Sequence, residues 1–272
     1  MHEKAIETSH GTIAVHDRPG GEIPLLMIHA NSLCKEAFHF QIEALAGKRR
    51  MIAIDLPGHG QSSDATDPLR TYNFNGYADA VREVIEALDV GHFAILGHSL
   101  GGHVALELMR LLPEHTAGTM IFGTPPIPPG SEGASLGFIP NPDFACTGKE
   151  TLTDQEMDMV VALALGPDAV RDTFWKTAVR RADGRARRLM VDAALAGRHP
   201  DQRDLVETSP VPLAIVNGAD DPVINLDFID SVTFRSVWRR GPVRVENAGH
   251  GLHWQRPEEF NALLDSFLTA IA

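Results

Sequence analysis

The stretch Gly97-His98-Ser99-Leu100-Gly101, "GHSLG", followed by Gly102, decides how this chain is read. It stands directly after the apolar run "FAILG" and directly before "HVALELMRLL", whose apolar residues recur at helical spacing. A serine set between glycines where a strand turns into a helix is the setting of a nucleophile elbow. The glycines permit a tight backbone, and the hydroxyl is held out at the edge of the sheet. By itself G-x-S-x-G is a weak signal, because 24 glycines make chance matches ordinary. The rest of the chain must supply the serine's partners.

Working outward, short apolar runs rich in β-branched residues recur between turn residues: "TIAV", "PLLMIHA", "RRMIAIDL", "FAILG", "GTMIFGT", "PLAIVNG" and "VRVENAG". Between them, "KEAFHFQIEALA", "NFNGYADAVREVIEALD", "HVALELMRLL" and "RPEEFNALLDSFLTAIA" carry apolar residues at helical spacing. Near-continuous apolar strands alternating with helices imply an α/β protein with a mostly parallel sheet covered on both faces. The first two runs lie close together with no helix between them, which predicts an antiparallel hairpin at one edge. The alternation breaks at "PPIPPGSEG", residues 125–133, a hinge-like stretch of prolines and glycines. From about Asn141 to about Leu205 no strand pattern returns, and Met157, Val160, Val161 and Ala164 repeat at helical spacing. The expected organisation is a core of residues 1–127 and 206–272, with a small helical cap over 128–205.

Composition narrows the function. A formal charge of −12 repels phosphate backbones and anionic lipid surfaces, which argues against nucleic acid and membrane as partners. "MHEKAIETSH" has no apolar leader-like core and no run approaches a membrane span, so a cytoplasmic location is expected. Two cysteines, Cys34 and Cys146, are too few for a disulfide framework and are expected as free thiols.

A serine hydroxyl is a poor nucleophile at neutral pH and needs a base, itself oriented by an acid. In a strand–elbow–helix architecture these follow in the order serine, Asp or Glu, then His, each at the carboxyl end of its own strand. "NGADDP" after "PLAIV" supplies Asp221 or Asp220, and "NAGHG" after "VRVE" supplies His250. Asp221 is favoured because the acid of such G-x-x-D turns commonly sits three after the glycine, here Gly218. The developing oxyanion needs two backbone donors. The N–H of Leu100 is the first, and the loop "HANS" offers the second in the N–H of Asn31. The Asn31 side chain is also placed to cap a helix beginning near Lys35.

In the order "HANS", "DLPGHGQS", "GHSLGG", "NGADDP" and "NAGH", these motifs resemble those of the α/β-hydrolases, over the whole chain apart from the cap. The resemblance implies an eight-stranded, mostly parallel sheet with the cap inserted after the sixth strand. Further stretches, including "ETSHGTIAV", "DLPGHGQSSDATDP", "GTPP", "DGRARRLM" and "AIVNGADDPVINLDF", are similar to metal-independent N-acyl homoserine lactone lactonases. Three positions depart from that pattern. Ala30 replaces the glycine that usually follows the loop histidine, Asp221 stands where those lactonases carry glutamate, and His98 replaces a tryptophan, making the pocket wall more polar.

The resemblance implies lactone opening, a quorum-quenching activity, by Ser99, His250 and Asp221, through an acyl-enzyme or through a water activated by His250. Met157, Val160, Val161 and Phe174, with Phe138 and Ile139 near the hinge, are candidates for an apolar acyl-chain tunnel. Trp254 or Asn31 is a candidate to read the substrate amide. A small ester or lactone is thus the expected partner, and the chain a monomer or homodimer. No H-x-H-x-D-H cluster, G-x-G-x-x-G or P-loop occurs, so neither a metal nor another cofactor is expected. The run "RRADGRARR" reads as a solvated face with local ion pairs. Two alternatives share the motifs: a general carboxylesterase or haloperoxidase-like hydrolase, and a non-catalytic small-ligand receptor.

Overall fold

The structure, a computed structural model, describes residues 2–272. Eight strands form one sheet: β1 (His2–Thr8), β2 (Gly11–Arg18), β3 (Glu22–Ile28), β4 (Arg49–Ile54), β5 (Phe93–His98), β6 (Thr116–Phe122), β7 (Leu213–Gly218) and β8 (Val243–Val245). Their spatial order is β1-β2-β4-β3-β5-β6-β7-β8. From β4 to β8 all neighbours run parallel, while β2 is antiparallel to both β1 and β4. The edge hairpin therefore joins β1 to β2. The two runs expected to pair, β2 and β3, lie on opposite sides of β4. "HEKAIET" carries no apolar strand signal because an edge strand needs no continuous apolar run, and charged residues there discourage pairing with another chain.

Strand residues alternate between two cores, as a period of two requires. Leu26, Ile28, Ile52 and Ile54 pack with Tyr77, Val81, Val104 and Leu108, from the helices Phe74–Ala87 and Leu100–Leu111. Their neighbours Leu25, Met27, Met51 and Ala53 pack on the other face with Phe38, Phe260, Leu264 and Phe267, the last three from the helix Pro257–Ala270. Both faces of the sheet are thus covered, which explains the unbroken hydrophobicity of the parallel strands. Between β6 and β7 the chain forms five α-helices: Gly130–Gly137, Asp154–Leu165, Thr173–Arg181, Gly184–Leu195 and Gln202–Thr208. Thr153 starts the second of these with a capping box completed by Glu156.

Candidate active site

At the end of β5 the chain turns through Ser99, which has φ 52° and ψ −115°, a conformation that side chains other than glycine rarely adopt. The surrounding glycines are required by contact. A Cβ on Gly97 would stand 2.4 Å from the Gly101 carbonyl oxygen, one on Gly101 2.0 Å from that of Ile28, and one on Gly102 2.0 Å from Thr124 Oγ1. The Ser99 N–H donates to the Phe122 carbonyl at 3.0 Å, and Ser99 precedes the first residue of the helix Leu100–Leu111, at its positive end.

His250, in the loop after β8, meets Asp221, in the loop after β7, with Nδ1 2.9 Å from Oδ2. Asp221 is buried, and its other oxygen accepts from the N–H groups of Val223 at 2.9 Å and Ile224 at 3.2 Å. Asp220 is exposed and takes no part in this contact. Gly123, directly after β6, lies against the same ring. With φ +60°, a Cβ there would sit 2.8 Å from His250 Cε1.

Ser99, Leu100, Asn31 and His250 line one cavity. Neither the Leu100 N–H nor the Asn31 N–H has an acceptor among the described residues. The Asn31 side chain does not cap the helix at Lys35. Its Nδ2 donates to the Thr147 carbonyl at 2.9 Å, tying this loop to the β6–β7 segment, while Asp55 accepts from the Lys35 N–H. His29 braces the same loop. Its Nδ1 donates to the Ala30 carbonyl and its Nε2 accepts from the Leu56 N–H, an arrangement of neutral imidazole in keeping with burial, which lowers its pKa.

The remaining walls are apolar and come largely from the β6–β7 helices, including Phe138, Val160, Leu163, Met190 and Leu195. Of the expected tunnel residues, Val160 and Phe138 line the cavity. Met157 and Val161 pack in a neighbouring cluster with Leu33 and Trp175, and Ile139 is exposed. Phe174 and Trp254 line a separate groove with Trp175 and His39. Helical spacing marks a buried face without saying what it is buried against. His98 is also absent from the cavity. It stacks on Phe122, with ring centroids 4.5 Å apart, and its Nε2 donates to the His250 carbonyl at 3.1 Å, so it supports the His250 loop from behind the sheet.

The model of the alpha/beta hydrolase family matches residues 25–263. The chain belongs to this family. Among solved structures, the N-acyl homoserine lactonase AidH complexed with N-butanoyl homoserine is 40% identical with a TM-score of 0.95, over 100% of this chain and 98% of that one. The AB hydrolase superfamily protein YisY of Bacillus subtilis is 25% identical over 273 residues, 95% of this chain and 96% of that protein. A dihydrolipoyllysine-residue acetyltransferase component of an acetoin cleaving system from Pseudomonas putida is 27% identical over 258 residues. That match covers 92% of this chain, which spans 65% of the relative's length. The protein is a hydrolase acting on ester bonds.

Other sequence features of the hydrolase find their places around this site. In "RRADGRARR", Arg180, Arg181, Arg185 and Arg188 form ion pairs with Asp154, Asp64, Asp183 and Glu150. Arg187 departs from that reading. It is buried, and its guanidinium donates to the carbonyls of Lys149, Glu150 and Val179 and to Ser32 Oγ, next to Asn31. Sequence reasoning missed this latch, as it missed Gly123, because its partners are distant in the chain. Cys34 and Cys146 are free and buried, and burial pushes both thiols up, which disfavours the thiolate form. Only one group of potential metal ligands occurs among the described residues, His10, Asp79 and Glu83. Arg70 Nη2 already lies 3.2 Å from Asp79 Oδ2 and 3.3 Å from His10 Nε2, a cation in the place a metal would need. No helix among the described residues is long and apolar enough to cross a membrane.

Proposed function

We propose that this hydrolase opens the lactone ring of N-acyl homoserine lactones, a quorum-quenching activity, with Ser99 as nucleophile, His250 as general base and Asp221 as its orienting acid. The observation that carries the reading is that the likeness to the lactonase runs through all of this chain, including the β6–β7 helices that wall the Ser99 cavity. Residues 128–205 then act as a cap whose apolar inner side receives the acyl chain.

Ser99 Oγ attacks the lactone carbonyl while His250 Nε2 takes its proton, and Asp221 stabilises the imidazolium through Nδ1. The unengaged N–H groups of Leu100 and Asn31 receive the oxyanion, helped by the positive helix end behind Leu100. As the tetrahedral intermediate collapses, the ring oxygen leaves with the proton from His250 but stays tethered to the acyl-enzyme. Such a group recloses with a large effective molarity, so a water held against His250 must attack first. Ring opening therefore requires tighter control of the water than hydrolysis of an open ester does.

The test is kcat/KM, from acid release in the presence of a chelator, for homoserine lactones of graded acyl length against 4-nitrophenyl esters. Chelator-insensitive opening of the lactones supports the reading. Cleavage of aryl esters with no lactone opened refutes it.

A further inference from the structure

Five polar side chains line the Ser99 cavity: Asn31, Ser99, His103, Thr147 and His250. Ser99 and His250 belong to the proposed chemistry, the Asn31 amide and the Thr147 hydroxyl donate to backbone carbonyls, and only His103 is unassigned. It sits one turn along the helix from the elbow, its N–H bonded to the Ser99 carbonyl at 3.2 Å, with Phe74 stacked on its ring at 4.5 Å.

The protonation of His103 is fixed by a chain of contacts behind it. Gln202 Nε2 donates to Glu107 Oε1 at 3.0 Å and to the His103 carbonyl at 3.2 Å, which turns Gln202 Oε1 toward the ring. That oxygen lies 2.7 Å from His103 Nδ1 and can only accept, so Nδ1 carries the hydrogen. Burial pushes the pKa of His103 down to about 4, keeping the ring neutral. Its Nε2 is then a bare lone pair. It has no partner among the described residues and is not among the fully enclosed atoms, so it opens onto the cavity that the ring lines.

We propose that His103 Nε2 accepts a hydrogen bond from a hydroxyl on the third carbon of the acyl chain, so that the enzyme favours N-(3-hydroxyacyl) homoserine lactones over unsubstituted and 3-oxo analogues. The inference rests on the lactonase reading above. Reach agrees with it, since one helical turn separates Ser99 from His103 by about 6 Å of rise. Five bonds separate the attacked carbonyl carbon from the third acyl carbon, about 6 Å when extended. An unsubstituted chain leaves a buried acceptor unmet, and a 3-oxo group sets a second acceptor against it.

The experiment measures kcat/KM for N-hexanoyl, N-(3-hydroxyhexanoyl) and N-(3-oxohexanoyl) homoserine lactone. Wild type is expected to favour the hydroxylated substrate by about tenfold over the plain one, with the 3-oxo substrate lowest. His103→Phe should bring the hydroxyl-to-plain ratio close to one. His103→Gln, which offers a donor as well as an acceptor, should raise the relative rate on the 3-oxo substrate. Equal kcat/KM within twofold across the series in wild type, a comparison that needs no variant to fold, overturns the assignment, as does a preference that survives His103→Phe. If no lactone is opened while aryl esters are cleaved, the lactonase reading fails and this inference with it.

Discussion

Replacing Gly123 by alanine tests the placement of the His250 ring without changing the side chain of any proposed reacting residue. The added Cβ would lie 2.8 Å from Cε1, 3.0 Å from Nδ1 and 3.3 Å from Nε2. Ordinary carbon contacts begin near 3.4 Å, so the ring must retreat by about 0.6 Å at Cε1. Asp221 holds Nδ1 at 2.9 Å, and the retreat tilts Nε2 relative to Ser99. A misplacement approaching 1 Å can cost about a hundredfold in rate, and roughly 30- to 100-fold in kcat is expected here. Alanine at φ +60° also costs about 1–2 kcal/mol of stability. Steady-state kinetics on a 4-nitrophenyl ester, beside a urea melt, separate the two effects. A destabilised Gly123→Ala enzyme that keeps kcat within twofold of wild type would refute the argument that this glycine sets the ring position.

Asp221→Asn is expected to lower kcat by about 10⁴-fold and Asp220→Asn by less than twofold, because only the buried Asp221 meets His250; parallel kinetics on one ester decide between them. Arg187→Met keeps the apolar stem but leaves three carbonyls without their donor. It should lower the urea-derived stability by roughly 2–4 kcal/mol and reduce kcat through the loop at Ser32, whereas unchanged stability would show the latch to be dispensable. Burial holds His59 and His253 at about 3 and His103 at about 4. Folded-state values below the ordinary 6.5 mean that the unfolded chain takes up protons first. Stability is therefore whole above pH 6.5 and falls as pH drops toward 4, by at most about 1.4 kcal/mol per pH unit for each histidine. Equal urea midpoints at pH 7.5 and 5.5 would contradict this.

The parts of the site that sequence reveals are those written locally. Ser99, Asp221 and His250 each follow a strand and sit in or beside a turn that contains glycine, so strand, turn and order in the chain all point to these candidates. The charged β1 lacks the pattern of a buried strand, so the apolar runs alone place the edge hairpin at β2 and β3 instead of at β1 and β2. The resemblance to lactonases with a tryptophan at this position puts His98 on the pocket wall. In an extended strand, however, successive side chains face opposite sides of the sheet, and His98 goes to the Phe122 and Phe260 side. The spacing of Met157, Val160 and Val161 revealed a buried helix face, yet only the packing of the β6–β7 helices decides that Val160 reaches the cavity. Gly123, His103 and Arg187 owe their positions to partners up to 155 residues away, beyond any local pattern.

The most direct measurement is acid release from N-hexanoyl homoserine lactone by the wild-type enzyme and by Ser99→Ala, with chelator present and folding of the variant verified by its urea melt. Rapid opening by wild type, reduced by at least about 10³-fold in the variant, is the predicted result. Opening that persists in folded Ser99→Ala, or a wild type that opens no lactone, would contradict the account.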